Sequence, residues 1–248
     1  MIRFLLMLAI LWPAIPVHAA DLTIDSVYAK EPPWGRMISS VSWSPNGRRF
    51  LYVRRSQDTS EVLPLMLYDV ASGTSRVWLA ANSFRGEEET PEILGWSADG
   101  SRVALLVDGT LYVSGVNQPN PQPIAGDVDD ALWSSRGDEI GYAHDADLYV
   151  ARISGRATVR RITHGGIPDT ILNGTLDWVY PEELGIEHGF RWSPDGRRIA
   201  YLTMDQRHVT NFPIVDFLTV GNSVEHQRYP LAGEPNPRVT LRVVDLAT

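Results

Sequence analysis

Cysteine is absent from all 248 residues. That excludes disulfides, Cys-ligated zinc or iron–sulfur centres and a thiol nucleophile. Basic residues are in deficit, with 22 Lys and Arg against 30 Asp and Glu and a formal net charge of -8. A nucleic-acid binder needs a basic face to meet phosphates, so no nucleic-acid partner is expected. Neither a Gly-rich phosphate loop nor a His-Glu-x-x-His string occurs, and no cofactor is expected. Long apolar runs are also lacking. The one candidate, Phe4 to Trp12, is too short to cross a bilayer comfortably, which takes about 20 residues. What remains is ordinary: 44% hydrophobic and 21% charged residues, which excludes a disordered or collagen-like chain.

The apolar run sits in an informative context. Arg3 precedes it, Pro13 and Pro16 follow, and then comes Val17-His18-Ala19-Ala20. A basic start, an apolar centre and a small-residue end read as a secretory signal peptide, with cleavage after Ala19 or Ala20; the alternative is an N-terminal membrane anchor. The expectation is a signal peptide at residues 1–20 and one propeller domain at residues 21–248. The mature protein would be periplasmic or secreted, with no membrane attachment after cleavage.

The rest is built from a repeat. Trp43-Ser44-Pro45-Asn46-Gly47, Trp96-Ser97-Ala98-Asp99-Gly100, Trp133-Ser134-Ser135-Arg136-Gly137 and Trp192-Ser193-Pro194-Asp195-Gly196 share one pattern. Beyond each Gly, apolar residues return at every second position: Phe50 and Tyr52, Val103 and Leu105, Ile140 and Tyr142, Ile199 and Tyr201. A period of two is strand spacing. Asn-Gly and Asp-Gly tolerate positive φ and favour tight hairpins. Each unit therefore reads as strand, tight turn, strand.

Third strands follow at Leu67 to Val70, Leu111 to Val113 and Leu148 to Val150. Fourth strands follow at Arg76 to Leu79, Pro121 to Ala125 and Val159 to Thr163. Four short antiparallel strands at this period are the signature of a β-propeller blade. The predicted fold is all-β: an incomplete propeller of about four blades, with Trp rings filling the spaces between them. Val239 to Leu246 reads as the start of a further strand pair. An incomplete last blade would leave unpaired edges.

A long connection separates Thr163 from the strand at Phe190. Its centre reads Leu172-Asn173-Gly174-Thr175-Leu176-Asp177-Trp178-Val179-Tyr180-Pro181-Glu182-Glu183-Leu184. Long insertions in compact domains are often functional. Pro suits the first turn of a helix, and acidic residues suit it through the helix dipole. Glu182 and Glu183 are thus expected to begin a short helix, as solvated first-turn acids or as something more.

This stretch resembles the double-Glu motif of the dipeptidyl peptidase IV family, which typically reads Asp-Trp-Val-Tyr-Glu-Glu-Glu. The resemblance runs on through Phe190 to Tyr201. It resumes at Tyr229-Pro230, at Gly233 to Pro237, at Val239 and at Val243 to Leu246. Upstream of Leu172 only the repeat agrees, and many propellers share it. In that family an N-terminal propeller caps a C-terminal α/β-hydrolase domain, which releases dipeptides ending in Pro or Ala. The resemblance implies that Glu182 and Glu183 hold the free amino terminus of a peptide. Pro181 stands where the family usually has a third Glu, the position least tied to amine binding. The physics of such a pair is direct. One carboxylate about 4 Å from an ammonium is worth roughly 4 kcal/mol at an effective dielectric of 20, before desolvation. Two carboxylates would fix the amine, and a fixed amine sets how many residues reach a nucleophile.

The nucleophile itself is lacking. No Gly-x-Ser-x-Gly elbow occurs. Gly95-Trp96-Ser97-Ala98-Asp99 begins like one, fails at its last position and coincides with the second repeat, so Ser97 reads as scaffold. The six His, at 18, 144, 164, 188, 208 and 226, form no recognisable set. The resemblance thus implies peptide N-termini as partners and a hydrolase domain encoded downstream. Glu87-Glu88-Glu89 reads as a solvated loop. His144, Asp145 and Asp147 match no metal-ligand spacing. Asn173 heads an Asn-x-Thr acceptor string, relevant only in a glycosylating pathway. The competing reading is a non-enzymatic periplasmic scaffold similar to TolB-type propellers. The string from Asp177 to Glu183 favours the peptidase reading, because a pure scaffold has no use for it.

Overall fold

The computed structural model describes residues 23–28, 38–54, 62–84, 90–154, 157–216 and 223–247. The expected signal peptide and the Glu87-Glu88-Glu89 run lie outside the described residues. The chain divides into two compact units, Met1–Met37 and Ile38–Thr248. In the first, α1 (Ile24–Val27) is a single turn closed by a reciprocal cap between Thr23 and Ser26. Among the described residues no helix is long and apolar enough to cross a membrane.

The second unit is all-β. Its first three blades are β1 (Ile38–Trp43) to β4, via β2 (Arg49–Arg54) and β3 (Leu65–Asp69), with β4 at Thr74–Leu79; β5 (Glu92–Trp96), β6 (Arg102–Val107), β7 (Thr110–Gly115) and β8 (Gln122–Ala125); and β9 (Val128–Trp133), β10 (Glu139–His144), β11 (Asp147–Arg152) and β12 (Thr158–Arg161). Each is a four-stranded antiparallel meander in sequence order. The inner strands β1, β5 and β9 lie side by side, as in a propeller. The strands therefore fall where the repeat predicts them.

The repeat's chemistry explains itself at the first turn of each blade. Gly47, Gly100, Gly137 and Gly196 all adopt positive φ, which a side chain would resist. The Ser before each turn is a hub. Ser97 is fully buried; its Oγ donates to Asp99 and accepts from the Arg102 N–H. Ser193 and Ser44 do the same with Asp195 and Asn46. Ser97 is thus committed to the turn and is no nucleophile.

The apolar core lies between blades rather than within them. Leu51, Val53, Leu65 and Leu67 pack against Val103, Leu105 and Val107 across the first gap. Ala104, Leu111 and Val113 turn the opposite face to Ile140 and Tyr142. Leu148 and Val150 meet Phe190 and Ile199 across the third gap. Burying each large side chain contributes roughly 1.5–3 kcal/mol. The Trp rings bridge these gaps in a relay. Trp96 Nε1 donates to the Ser42 carbonyl (3.1 Å), Trp133 Nε1 to Gly95 (3.1 Å) and Trp192 Nε1 to Leu132 (3.0 Å). Each acceptor immediately precedes the Trp of the blade before. Trp43, at the free face of the first blade, is 54% exposed instead.

The fourth blade departs from the meander. Its second strand, β15 (Arg198–Asp205), pairs on one edge with both β13 (Ile171–Asn173) and β14 (Phe190–Trp192). These are two halves of one inner strand. On its other edge β15 pairs with β18 (Arg238–Asp245) over its whole length. So the segment expected to open a new strand pair is the third strand of this blade. An inserted hairpin of β16 (Asn211–Asp216) and β17 (Ser223–Arg228) hid that link, since the earlier blades join their second and third strands directly.

Candidate functional site

The double-Glu segment is an excursion from the broken inner strand. It leaves at Gly174 and returns at Gly189, and both ends hang from one residue of β15: the Gly174 N–H donates to the Leu202 carbonyl (2.8 Å), and the Leu202 N–H donates to the Gly189 carbonyl (2.9 Å). The two glycines touch. A Cβ on Gly189 would sit 2.3 Å from the Gly174 carbonyl oxygen, and one on Gly174 would strike Leu148. Only glycine at both positions lets the chain pass out and back through one strand slot.

Inside the excursion, α2 spans Val179–Leu184. It starts three residues before Glu182, with Pro181 in the first turn as expected, where its missing N–H costs nothing. The Asp177 carboxylate accepts from the Tyr180 N–H (3.1 Å) and caps the start. Gly185 ends the helix in the left-handed region (φ 62°). Burial pushes the Asp177 carboxyl up, against the opposing hydrogen bonds at the helix start. Tyr180 and Leu176 pack on a small core of Ala146, Leu172 and Met204. Trp178 tilts against Tyr229, 5.1 Å between ring centres, so the inserted hairpin braces the helix entry.

Glu182 and Glu183 are both exposed, and neither carboxylate has a hydrogen-bond or ion-pair partner among the described residues. Successive helix positions diverge, so the two do not share one face. The surrounding frame is far more committed. Asp130 on β9 holds His188 at 2.9 Å, and Thr175 donates to Asp129 (3.4 Å). Burial pushes the Asp130 carboxyl up, partly offset by His188. These contacts tie both legs of the excursion to the third blade.

Deeper lies a polar network that sequence reasoning missed. Asp147 is fully buried. Arg161 and Thr163 donate to it, as do the Gly166 N–H (3.0 Å) and Asn173 Nδ2 (3.0 Å). Asn173 Oδ1 in turn accepts from Thr203 (2.8 Å). Burial pushes the Asp147 carboxyl up, but the four donors outweigh it and hold it below the usual range. The network runs from blade three to blade four and ends one residue before Gly174. Asn173 is itself buried with both ends of its amide used, so the folded chain cannot present it for glycosylation. Among the described residues, no group of three His, Asp or Glu is placed to hold a metal. The candidate trio is divided: Asp147 serves the network, while His144 and Asp145 face a cavity beside it.

These blades and this interrupted strand define an incomplete β-propeller. The family described as the dipeptidyl peptidase IV N-terminal region matches residues 106–248, more than half of the chain, and the chain belongs to it. The chain is 34% identical to a venom dipeptidyl peptidase 4 of Apis mellifera, over 73% of its own length and 26% of that relative. It is 27% identical to a probable dipeptidyl-aminopeptidase B of Talaromyces marneffei, over 93% of its own length and 31% of the relative. Its fold also matches the crystal structure of Porphyromonas gingivalis dipeptidyl peptidase 4, with a TM-score of 0.63 at 22% identity, over 86% of this chain and 31% of that one. The chain thus spans less than a third of the relatives it matches.

Proposed function

We propose that this chain is the substrate-binding and gating propeller portion of an exported dipeptidyl peptidase IV-like serine peptidase, in which Glu182 and Glu183 hold the terminal ammonium of a peptide. The released product would be an N-terminal dipeptide, typically with Pro second. The observation that carries the reading is the uncommitted pair itself: two adjacent carboxylates on a short helix whose root is pinned by two touching glycines and a buried network. Asp130, Asp147 and Asp177 each serve a structural contact, and Glu182 and Glu183 have none among the described residues. Charge-assisted hydrogen bonds are worth about 1.5–3 kcal/mol each, so losing either carboxylate should weaken amine binding at least tenfold. Export is supported by the N-terminal segment and by a relative that is a venom protein.

The test is binding of a Pro-containing peptide with a free amine, by calorimetry, to the intact protein and to Glu182→Gln and Glu183→Gln. Both variants should bind at least tenfold more weakly, and N-acetylation of the peptide should abolish the difference. Equal affinity for free and acetylated peptides would overturn the proposal.

A further inference from the structure

The Glu pair sits on the least anchored part of the excursion. Every residue from Pro181 to Glu187 is exposed. Before this span, Tyr180 packs on the core of Ala146, Leu172 and Met204, and its N–H donates to Asp177. Within it, the apolar side chains of Leu184 and Ile186 are 58% and 41% exposed and find no core. The Ile186 N–H donates to the Tyr180 carbonyl (3.0 Å), so α2 is tied back to its own start rather than to the blades. After the span, His188 is the first residue that is not exposed, and Gly189 and Phe190 are buried. From there the chain is stiff: β14 begins at Phe190, and Trp192 Nε1 holds it beside β9 through the Leu132 carbonyl (3.0 Å). His188 thus marks where a fixed strand gives way to the exposed span.

One side-chain bond secures that point. His188 Nδ1 meets Asp130 Oδ1 of β9 at 2.9 Å, across 58 positions of sequence. When Asp130 is ionised, Nδ1 carries the hydrogen. The Asp130 side chain is only 14% exposed, and its Oδ2 is buried with no partner among the described residues. Leaving a buried acceptor unpaired is costly, so this carboxylate is held in place for the single contact it makes. Burial pushes its carboxyl up; His188 opposes that most, then the Ala131 N–H and the Arg191 guanidinium of β14. Recognition of an ammonium by two carboxylates requires them to be held to within about 0.5 Å, which falls to the groups behind them. On the far side of Glu182 and Glu183, Asp130 and His188 are those groups.

We propose that Asp130 and His188 are positioning residues for amine recognition: their bond fixes the far end of the exposed span and with it the placement of Glu182 and Glu183. The role rests on the amine-binding reading of those two glutamates, and neither Asp130 nor His188 touches the peptide. The test is calorimetry with Ala-Pro-Ala amide and its N-acetyl form, the readout being the ratio of the two affinities. His188→Ala and Asp130→Ala should each cut that ratio about tenfold, through the free-amine peptide alone. The double variant should lose no more than either single one, because the two groups act as a unit. His188→Asn sets an amide N–H near the place of Nδ1 and should keep the ratio within about threefold of the wild type. Urea unfolding is read in parallel, since a merely structural clip would lower stability and leave the ratio of the folded protein unchanged. His188 lies on the partly exposed return leg, so His188→Ala and His188→Asn still decide the matter if Asp130→Ala fails to fold. A wild-type ratio near one overturns the amine-binding reading and the positioning role together. A high wild-type ratio that survives in His188→Ala overturns the positioning role alone, as do equal losses in His188→Ala and His188→Asn, or single losses that add in the double variant.

Discussion

At the scale of single residues, the side chain that matters most to the site is one that touches no substrate. Asp147 gathers four donors in a space without solvent and joins two blades at the root of the excursion. Asp147→Ala would leave the buried Asn173 and Thr163 without their acceptor, at a cost of about 3 kcal/mol, read from urea unfolding at pH 7. The sign with pH follows from its lowered pKa. The unfolded chain then holds more protons than the folded one, so the contribution is full above about pH 4 and is lost as pH falls through the folded value. The gap between variant and wild type should therefore narrow in acid. The turn acids follow the same rule. The Ser97 hydroxyl, then the Ser101 N–H, hold Asp99 down to about 2, and the Ser193 hydroxyl holds Asp195 below the usual carboxylate range. In the first blade Asn46 makes the same turn without a charge, accepting from Ser44 and from the Arg48 N–H. Asp99→Asn with Asp195→Asn should thus leave the thermal midpoint at pH 7 little changed while flattening its fall between about pH 4 and 2.

At the scale of elements, the excursion is the decisive departure from the repeat, and its glycine pair is the point of failure. Gly189→Ala places a methyl 2.3 Å from the Gly174 carbonyl oxygen. Backbone must move, and overpacking of this kind costs about 1–3 kcal/mol. Because the strain sits at the neck of the loop, peptide-amine binding should weaken along with stability; Gly165→Ala, where a Cβ meets nothing, tests backbone strain at positive φ alone. The blades were legible in sequence because Trp-Ser-x-Asp-Gly builds its turn locally, from a Ser Oγ and a positive-φ Gly within one short segment. The partner of β18 was not, because pairing Val239 with Met204 requires ignoring the hairpin between them. The helix was legible from Pro181, while its cap comes from Asp177 ahead of an apolar Trp178. Asp147 and the Asp130–His188 pair escaped detection because their partners lie on distant segments of the chain, 58 positions away for the latter.

At the scale of the whole blade array, one donor rule repeats across every gap: the indole N–H of each blade reaches the carbonyl just before the Trp of its predecessor. The rule sets the angular step between blades, since it fixes one inner strand against the next at one point. Trp43 stands outside the relay, exposed and with no acceptor among the described residues, while the Trp133 N–H meets the Gly95 carbonyl at 3.1 Å. The same substitution therefore has two expected costs. Trp133→Phe removes a donor from a half-buried carbonyl and shrinks a ring packed between blades, a loss of about 1–2 kcal/mol. Trp43→Phe removes a donor that satisfies nothing and should change stability by less than about 0.5 kcal/mol. Urea unfolding of the two variants side by side separates the relay from mere ring volume, because both lose the same atoms. Equal destabilisation would mean that the rings act only as filler and that the repeated hydrogen bond does not hold the blades in step.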